Sequence, residues 1–501
     1  MKARIHAAAL ALLLVTSGCS AGSSATVAKD PGTLAIGYTA EPANFDFTRT
    51  DGAAIPQALL YNVYEGLVKL DADAKIVPLL AESWTVSPDG KTYDFKLRKD
   101  AKFSNGAPFT AEDVKFSLMR VKTDWTVSIK STMDVVDRVD VVAPDHARVV
   151  LTKPSNGWLF SLTSRLGAMF SPTGVADLAN KPVGTGPYTV ASRRRGDSIV
   201  LKQNPAYWGR KPAYSTVVLK YIKDPTALNN ALLSNGIDVI SAITVPDSIP
   251  QFQSDDRFTV VEGTTNSEVT LAFNNARPPL NDVRVRRALS YAIDRKALLD
   301  TAWAGRGTLI GSMVPPTDPW YEDLSNAYPF DPAKAKTLLA EAGLFQSGQA
   351  TPSLRLRIPN LPYAVSAAQV VASQLADIGV TVTIEPLDFP AVWLKQVFTD
   401  HDYDLSIIQH VEARDIVTFG KPKYYWGYDG KDVQQQLAKA DAGTPQEQID
   451  AMRQVARRLS EDAAADWLFL FPNVIVAKNK VTGFVRNQVS ESFDLTGLAP
   501  R

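Results

Sequence analysis

Residues 267–300, SEVTLAFNNARPPLNDVRVRRALSYAIDRKALLD, change their hydrophobic period part-way along. Val269, Leu271 and Phe273 alternate with Thr270 and Ala272, which predicts a strand. Asn274-Asn275 and Pro278-Pro279 stop it, because proline offers no N–H to a ladder. Asn281 or Asp282 then serves as an N-cap. Val285, Ala288, Leu289, Ala292 and Ile293 follow at helical spacing and predict one apolar face. Arg284, Arg286, Arg287 and Arg295 fall mostly off that face. A nucleic-acid surface would need such a basic cluster, but Asp282, Asp294 and Asp300 are near enough to make it a solvated, ion-paired face.

The same pattern-reading orders the rest of the chain. A strand is expected at Thr33–Tyr38, running into Glu41-Pro42, and a short helix at Gln57–Leu67. Short extended pieces (75–80 and 83–86), a strand at Thr92–Leu97, a helix opened by the capping box Thr110-Ala111-Glu112-Asp113, and a hairpin of 135–142 with 147–151 make residues 68–181 a strand-rich insertion with a helix. Strands at 188–191, 199–203, 216–221 and 237–240, with a helix at 224–234, alternate as an α/β layer does. A second α/β unit carries helices at 331–343, 364–378 and 445–464 and strands at 354–358, 381–386 and 404–408. Two last strands, 468–471 and 474–476, need a sheet to pair with, so the tail is expected to return to the first unit. No repeat of 20–50 residues is visible.

With 501 residues, 45% hydrophobic and 21% charged, the chain is too long for one core, and two or three domains are expected. Without residues 1–18, which hold Lys2, Arg4 and no acid, the formal charge is −2; nothing suggests a nucleic-acid partner. The one cysteine, Cys19, excludes an internal disulfide framework. Residues 1–18 read as a secretory signal: Lys2 and Arg4, an apolar run from Ala7 to Val15, then Thr16-Ser17-Gly18 before Cys19. About ten apolar residues make only about 15 Å of helix, too short to span a membrane. The small-small-Cys ending resembles a bacterial lipobox, with Thr16 where leucine is usual. It implies a diacylglyceryl anchor on Cys19; a plain signal peptide with an incidental cysteine is the alternative. Ser20–Gly32, rich in Ser, Ala and Gly, reads as a flexible tether over 19–32.

The search for catalytic chemistry is thin. His146, His401 and His410 are dispersed, and neither H-E-x-x-H nor G-x-S-x-G occurs. Pro182-Val183-Gly184-Thr185-Gly186-Pro187-Tyr188 is no phosphate loop, since Pro187 follows directly and no Lys-Ser/Thr completes it. His401, Asp402, Asp404, His410 and Glu412 are close in sequence and would be either metal ligands or ordinary loop residues. The richest stretch is 404–428, where a strand delivers His410, Glu412, Arg414 and Asp415 ahead of Tyr424, Tyr425, Trp426 and Tyr428. Rings beside charges of both signs suit a zwitterionic organic ligand; the other reading is an aromatic core with self-paired charges.

Four ordered motifs carry a family resemblance: Phe103-Ser104-Asn105-Gly106-Ala107-Pro108-Phe109-Thr110-Ala111-Glu112-Asp113-Val114; Gly184-Thr185-Gly186-Pro187-Tyr188; Asn204-Pro205-Ala206-Tyr207-Trp208; and Phe273-Asn274-Asn275 through Arg284-Val285-Arg286-Arg287-Ala288-Leu289 to Ile293-Asp294-Arg295. Over about 33–480 the chain resembles the family 5 extracellular solute-binding proteins, the peptide-, nickel- and opine-binding components of ABC importers. The resemblance implies an α/β, type II periplasmic-binding fold: two lobes with a hinge plus an extra α+β domain. Lobe I would be 33–67, 182–275 and 470–501, the extra domain 68–181, and lobe III 276–469. It implies a non-enzymatic, cofactor-free and metal-free monomer that captures an oligopeptide or similar polar solute for permease and ATPase partners, on the outer face of the cell membrane or in the periplasm. The candidate ligand contacts are Tyr38, Glu41, His410, Glu412, Arg414, Asp415, Tyr425, Trp426 and Tyr428. In peptide binders the 404–409 strand leads to a tryptophan and then an aspartate for the ligand's ammonium; here His410 and Ala413 stand there. A family member outside transport, serving regulation or biosynthesis, and a secreted hydrolase are the alternatives.

Overall fold

The computed structural model describes residues 32–344 and 353–501. The expected signal segment, Cys19 and, Gly32 apart, the tether lie outside the described residues. Among those described, ten strands form one sheet, in the order Thr381–Leu387, Ser353–Pro359, Leu405–His410, Phe258–Phe273, Ala465–Lys478, Val239–Ile240, Thr33–Tyr38, Thr216–Tyr221, Ser198–Gln203, Tyr188–Arg194. Thr33–Tyr38 runs parallel to both its neighbours, and Ser353–Pro359 runs parallel to Thr381–Leu387. The middle of the sheet is the antiparallel pair Phe258–Phe273 and Ala465–Lys478, long enough to serve both halves.

Alternation along the strands sorts side chains to two faces, as a sheet covered on both sides requires. In the N-terminal half Leu34 and Ile36 enter one core while Ala35 packs with Leu228, Leu232 and Phe252 in another. In the C-terminal half Val269, Leu271 and Phe273 meet Val285, Ala288, Leu289, Ala292 and Ile293, the helix face expected from spacing. Ala272 joins Trp393, Trp426 and Leu459 on the other side. The four-stranded sheet Ala81–Val86, Thr92–Leu97, His146–Leu151, Val136–Ala143 stands apart from the large one. The helix Ala111–Asp124 carries the expected capping box and contributes Val114 and Leu118 to the core. That core is continuous with the N-terminal half, where Phe47, Tyr64, Trp125 and Phe170 pack ring on ring. The extra unit and the N-terminal half are therefore one packed body.

The two crossing strands are out of register between Thr264 and Glu268. Pro472, opposite Thr264, has no N–H for the ladder, and the irregularity sits there. Thr265 Oγ1 donates to the Phe471 carbonyl at 2.7 Å, and Asn266 Nδ2 to the Val489 carbonyl at 3.1 Å. The expected pair of short terminal strands is thus one strand through the break.

Two further expectations are corrected. The helix expected at Gln57–Leu67 is Ala54–Leu59. Beyond it the Asn62 and Val63 carbonyls accept from the Tyr188 and Gly186 N–H groups instead of from the helix. The basic residues near 284–295 do not form one solvated face. Arg284 is exposed and pairs with Asp282 at 2.6 Å. Arg286 is buried, donating to the Leu280, Asp462 and Ala463 carbonyls. Arg295 is buried on Asp466 and the Ser325 and Tyr328 carbonyls. A helix at Lys431–Ala442, which the sequence reading omitted, is present as well. The tail does return to the first half: Asn62 Nδ2 donates to the Phe493 carbonyl and its Oδ1 accepts from Leu495 N–H.

The extra unit also reaches the C-terminal half directly. Asn156 Nδ2 donates to the carbonyls of Ala440 and Gly443, both at 2.8 Å. Asp441 Oδ1 accepts from Ser155 Oγ at 2.8 Å and from Gly157 N–H at 3.1 Å. The last carbonyls of a helix have no partner within it, so Asn156 closes the end of Lys431–Ala442 from another unit.

Candidate functional site

The site strand, Leu405–His410, lies beside Phe258–Phe273, and the register sets His410 opposite Glu268, the first paired residue after the break. His410 is buried. Its Nε2 is 2.8 Å from Tyr425 Oη, and its Nδ1 is 2.9 Å from Asp415 Oδ2, an ion-pair distance outside hydrogen-bond geometry. Val411 and Glu412 are exposed, and Arg414 then turns the chain through a left-handed conformation (φ 63°) that a long side chain rarely adopts. Its guanidinium lies against the rings of Phe160 and Trp320, 3.5 and 4.6 Å from their centroids, with Nε 3.2 Å from Asp318 Oδ1.

Three carboxylates are buried around this strand and loop: Glu268 opposite His410, Asp415 beside His410 and Asp318 beside Arg414. Burial raises the pKa of each; repulsion adds to it, from Asp415, Asp318 and Glu412 for Glu268, from Asp415 for Asp318, and from Glu412 for Asp415. Arg414 works against this for Asp318, and His410 does so for Asp415. The charged groups felt by Glu268 are Asp415, Asp318 and Glu412, all acidic. Glu268 Oε2, Asp318 Oδ2 and Asp415 Oδ1 have no hydrogen-bond partner among the described residues. Glu268 and Asp318 were not among the candidates. The available signal was a glutamate at the head of an otherwise apolar strand.

The remaining candidates fall elsewhere. His410, Arg414 and Asp415 do come together. The aromatic wall expected from 424–428 is core instead, because the rings turn inward. Trp426 stacks on Phe419 (4.8 Å, 6°), Tyr428 donates to Asp462 Oδ2 at 2.8 Å, and Tyr425 is 1% exposed. Asn275 Nδ2 holds this loop by donating to the Trp426 carbonyl at 3.0 Å. Tyr38 is buried against Phe493 and Tyr221. Glu41 is engaged by Arg193 at 3.1 Å and Gly196 N–H at 2.9 Å.

Asp402 and Asp404 are taken up by arginines. Hydrogen bonds from Arg355 and Arg357 hold the Asp402 carboxyl down at about 2, and Arg277 Nε lies 2.7 Å from Asp404. One ligand atom each of His410, Glu412 and Asp415 lies within 4.8 Å of the others, but both imidazole nitrogens already face protein groups. A cavity of about 210 Å³ sits in the N-terminal half between Tyr61, Lys69, Asn473, Gln488 and Phe493, apart from the carboxylates.

The family motifs converge on another buried acid. Glu65 accepts from Thr185 Oγ1 (2.8 Å), Tyr207 Oη (3.0 Å) and Trp208 Nε1 (2.9 Å). Ser104 N–H donates to the Gly184 carbonyl, and a methyl group at Gly184 would run into the Val63 carbonyl. These residues join the extra unit to the first half.

Residues 75–432 match the family model for bacterial extracellular solute-binding proteins, family 5. The chain belongs to that family. The di/tripeptide-binding protein 2 of Pseudomonas aeruginosa is 29% identical over 411 residues, 76% of each chain. The heme-binding protein A of Haemophilus influenzae is 30% identical over 437 residues, 78% of each. Among solved structures, NikA from Brucella suis in complex with Fe(III)-EDTA superposes with a TM-score of 0.81 at 25% identity, over 94% of this chain and all of that one. The fold is accordingly the two-lobed one of this family with its extra domain. Among the described residues no helix is long and apolar enough to cross a membrane.

Proposed function

We propose that this protein is the ligand-capturing component of an ABC importer. It takes an oligopeptide or similar polar organic solute between its lobes and delivers it to the permease. The moving bodies would be lobe I (33–67, 182–275, 470–501) with the extra domain (68–181), and lobe III (276–469). The observation that carries this reading is Glu268, a buried acid with an unpartnered carboxylate oxygen, placed at the register break of the two strands that join the lobes. A break in an otherwise regular ladder is where a hinge bends at least cost, and buried acceptors lacking donors are groups a ligand can satisfy. Membership of a binding-protein family supports the same reading. A diacylglyceryl anchor at Cys19 would keep the protein at the outer face of the membrane, and Cys19→Ala would then release it into the soluble fraction.

The test is native mass spectrometry of residues 20–501 purified without refolding. A co-purified mass in 1:1 ratio, lost on denaturation, is expected. An empty protein that also fails to bind any peptide, opine or metal chelate in a calorimetric panel would overturn the reading.

A further inference from the structure

The cavity of about 210 Å³ in the N-terminal half lies where three stretches meet: Tyr61 with residues 69–72, Asn473 and Ile475 of the crossing strand, and residues 484–498 of the tail. None of its lining comes from residues 276–469, so it is separate from the space between the lobes. Its size decides what it can hold. A cavity of roughly 150 Å³ takes a benzene, and pockets for drug-sized ligands start near about 300 Å³. This one fits a molecule the size of one amino acid and is too small for an oligopeptide. Ile475, Phe484, Phe493 and Leu498 give it an apolar wall, and Val485, 40% exposed, marks the way in. Lys69, Asp71 and Asp494 add charges of both signs. Asp71 Oδ1 is taken up by the N–H groups of Asp73 and Lys75, both at 2.9 Å. Asp494 spends Oδ1 on the Thr496 N–H at 2.8 Å and turns Oδ2 to Lys69. That pair is loose, with Nζ and Oδ2 3.5 Å apart and both side chains partly exposed. Lys69 Nζ also lies 5.8 Å from the centroid of the Tyr61 ring. Tyr61 itself is held in a left-handed conformation (φ 64°), its hydroxyl donating to the Thr163 carbonyl at 2.5 Å. A bulky residue adopts that conformation only where its surroundings impose it.

We infer that this cavity is a second binding site, for one free apolar amino acid, and that its occupancy stiffens the hinge. The carboxylate of the guest takes Lys69 Nζ, its ammonium takes Asp494 Oδ2, and its side chain lies on the wall of Phe484, Phe493 and Leu498. A zwitterion gives each half of the loose pair a closer partner and adds no net charge, and charge-assisted hydrogen bonds are the stronger class. A lone anion or cation would satisfy one half and strip the other. The back of the cavity is a strap across the register break. Thr264 N–H donates to Asn487 Oδ1 at 3.1 Å, and Gln488 N–H donates to the Thr264 carbonyl at 2.9 Å. Asn266 Nδ2 donates to the Val489 carbonyl at 3.1 Å, and Asn473 Nδ2 to the Arg486 carbonyl at 2.9 Å. Asn473, Asn487, Gln488 and Val489 all line the cavity. A methyl group at Gly263, just before the break, would run into the Arg486 carbonyl, so strap and strand are in close contact. A guest that orders these residues orders residues 264–266 with them. By reciprocity, whatever bends the break changes the affinity for the guest.

The site stands apart from the solute-capture reading above; only its leverage on the closing of the lobes depends on that reading. The full soluble chain, residues 20–501, is titrated calorimetrically with free leucine and free phenylalanine, and with N-acetyl-leucine amide, which keeps the side chain and loses both charges. Binding of the free amino acids in 1:1 ratio, little or none of the capped one, and a loss of about tenfold or more in affinity in Lys69→Gln are the expected results. Val485→Trp, which fills the way in, should lose binding as well and serves as the second variant should Lys69→Gln not fold, as judged by its thermal midpoint. Hydrogen–deuterium exchange reads the strap: with leucine bound, the amides of Thr264 and Gln488 should exchange more slowly. Equal binding of the capped leucine, or wild-type affinity in both variants, would overturn the zwitterion site. Slower exchange confined to residues 405–415 would put the amino acid beside the site strand and overturn it too. Absence of binding of either amino acid at millimolar concentration would overturn the site and leave capture of a larger solute standing. Binding with unchanged exchange at Thr264 and Gln488 would overturn the stiffening of the hinge.

Discussion

The Arg414 guanidinium lies 3.5 Å from the centroid of the Phe160 ring. One residue belongs to the loop leaving the site strand and the other to the extra unit, so a cation–π contact bridges the two bodies that would part when the lobes open. With Trp320 also close, 4.6 Å from its ring centroid, the guanidinium is largely desolvated, a setting in which such contacts contribute about 1–2 kcal/mol. Phe160→Ala is expected to speed ligand dissociation about tenfold with little change in thermal midpoint. Stopped-flow release of a bound solute checks this, and an unchanged off-rate would show that the contact does not hold the lobes together.

Asn156 acts on the same gap by hydrogen bonding. Asn156→Ala leaves the Ala440 and Gly443 carbonyls without their donor while the bodies touch, but lets water reach them once the bodies part. The loss, about 1 kcal/mol per bond, should fall on the closed arrangement alone. Solution scattering of the ligand-bound variant should give a larger radius of gyration than wild type. Identical curves would place the closure energy elsewhere.

Glu65 makes stability depend on pH. Burial outweighs its three hydrogen bonds and raises its pKa from 4.5 to about 7. The folded state therefore binds this proton more tightly than the unfolded one. The stabilisation is fully present below about pH 4.5 and is lost as the pH rises through about 7, in all roughly 3 kcal/mol. Asp466, raised to about 6 by burial, acts in the same sense. Glu65→Gln can keep its amide oxygen toward Trp208 and Thr185 and donate to the Tyr207 hydroxyl. Its unfolding midpoint should be flatter than wild type between about pH 5 and 8, and parallel curves would refute the assignment.

Trp426 and Glu412 should part company on substitution. Trp426→Ala removes a buried ring stacked on Phe419 and should cost about 3–5 kcal/mol of folding stability. Glu412→Ala, at an exposed position, should stay within about 0.5 kcal/mol. Denaturant titration of both variants decides it. A Trp426→Ala protein of wild-type stability with weakened ligand binding would restore the aromatic run to the ligand wall.

That contrast shows what the sequence could and could not convey. Strands and amphipathic helices with a period were legible: Val285 to Ile293 bury the face that their spacing marks out. So were the ordered motifs, because they hold the chain together: the segments around Ser104, Gly184 and Tyr207 meet near Glu65, and Asn275 ties down the aromatic loop. The site was only half legible. His410, Arg414 and Asp415 are neighbours in sequence. Glu268 and Asp318 reach them from segments roughly a hundred residues or more away, with no local pattern to say so. The run 424–428 has no period, so its composition could not tell an inward ring from an outward one.

The place of the first strand governs the order in which the molecule can be completed. Thr33–Tyr38 is sandwiched between Thr216–Tyr221 and Val239–Ile240, and the latter rests on Val476 and Ala477 near the far end of the chain. A nascent chain made from its N-terminus therefore carries an unfinished sheet edge through nearly the whole of synthesis. Loop closure over such distances is slow to nucleate. Removing the last thirty or so residues would strip the N-terminal half, rather than the C-terminal one, of packing it cannot replace.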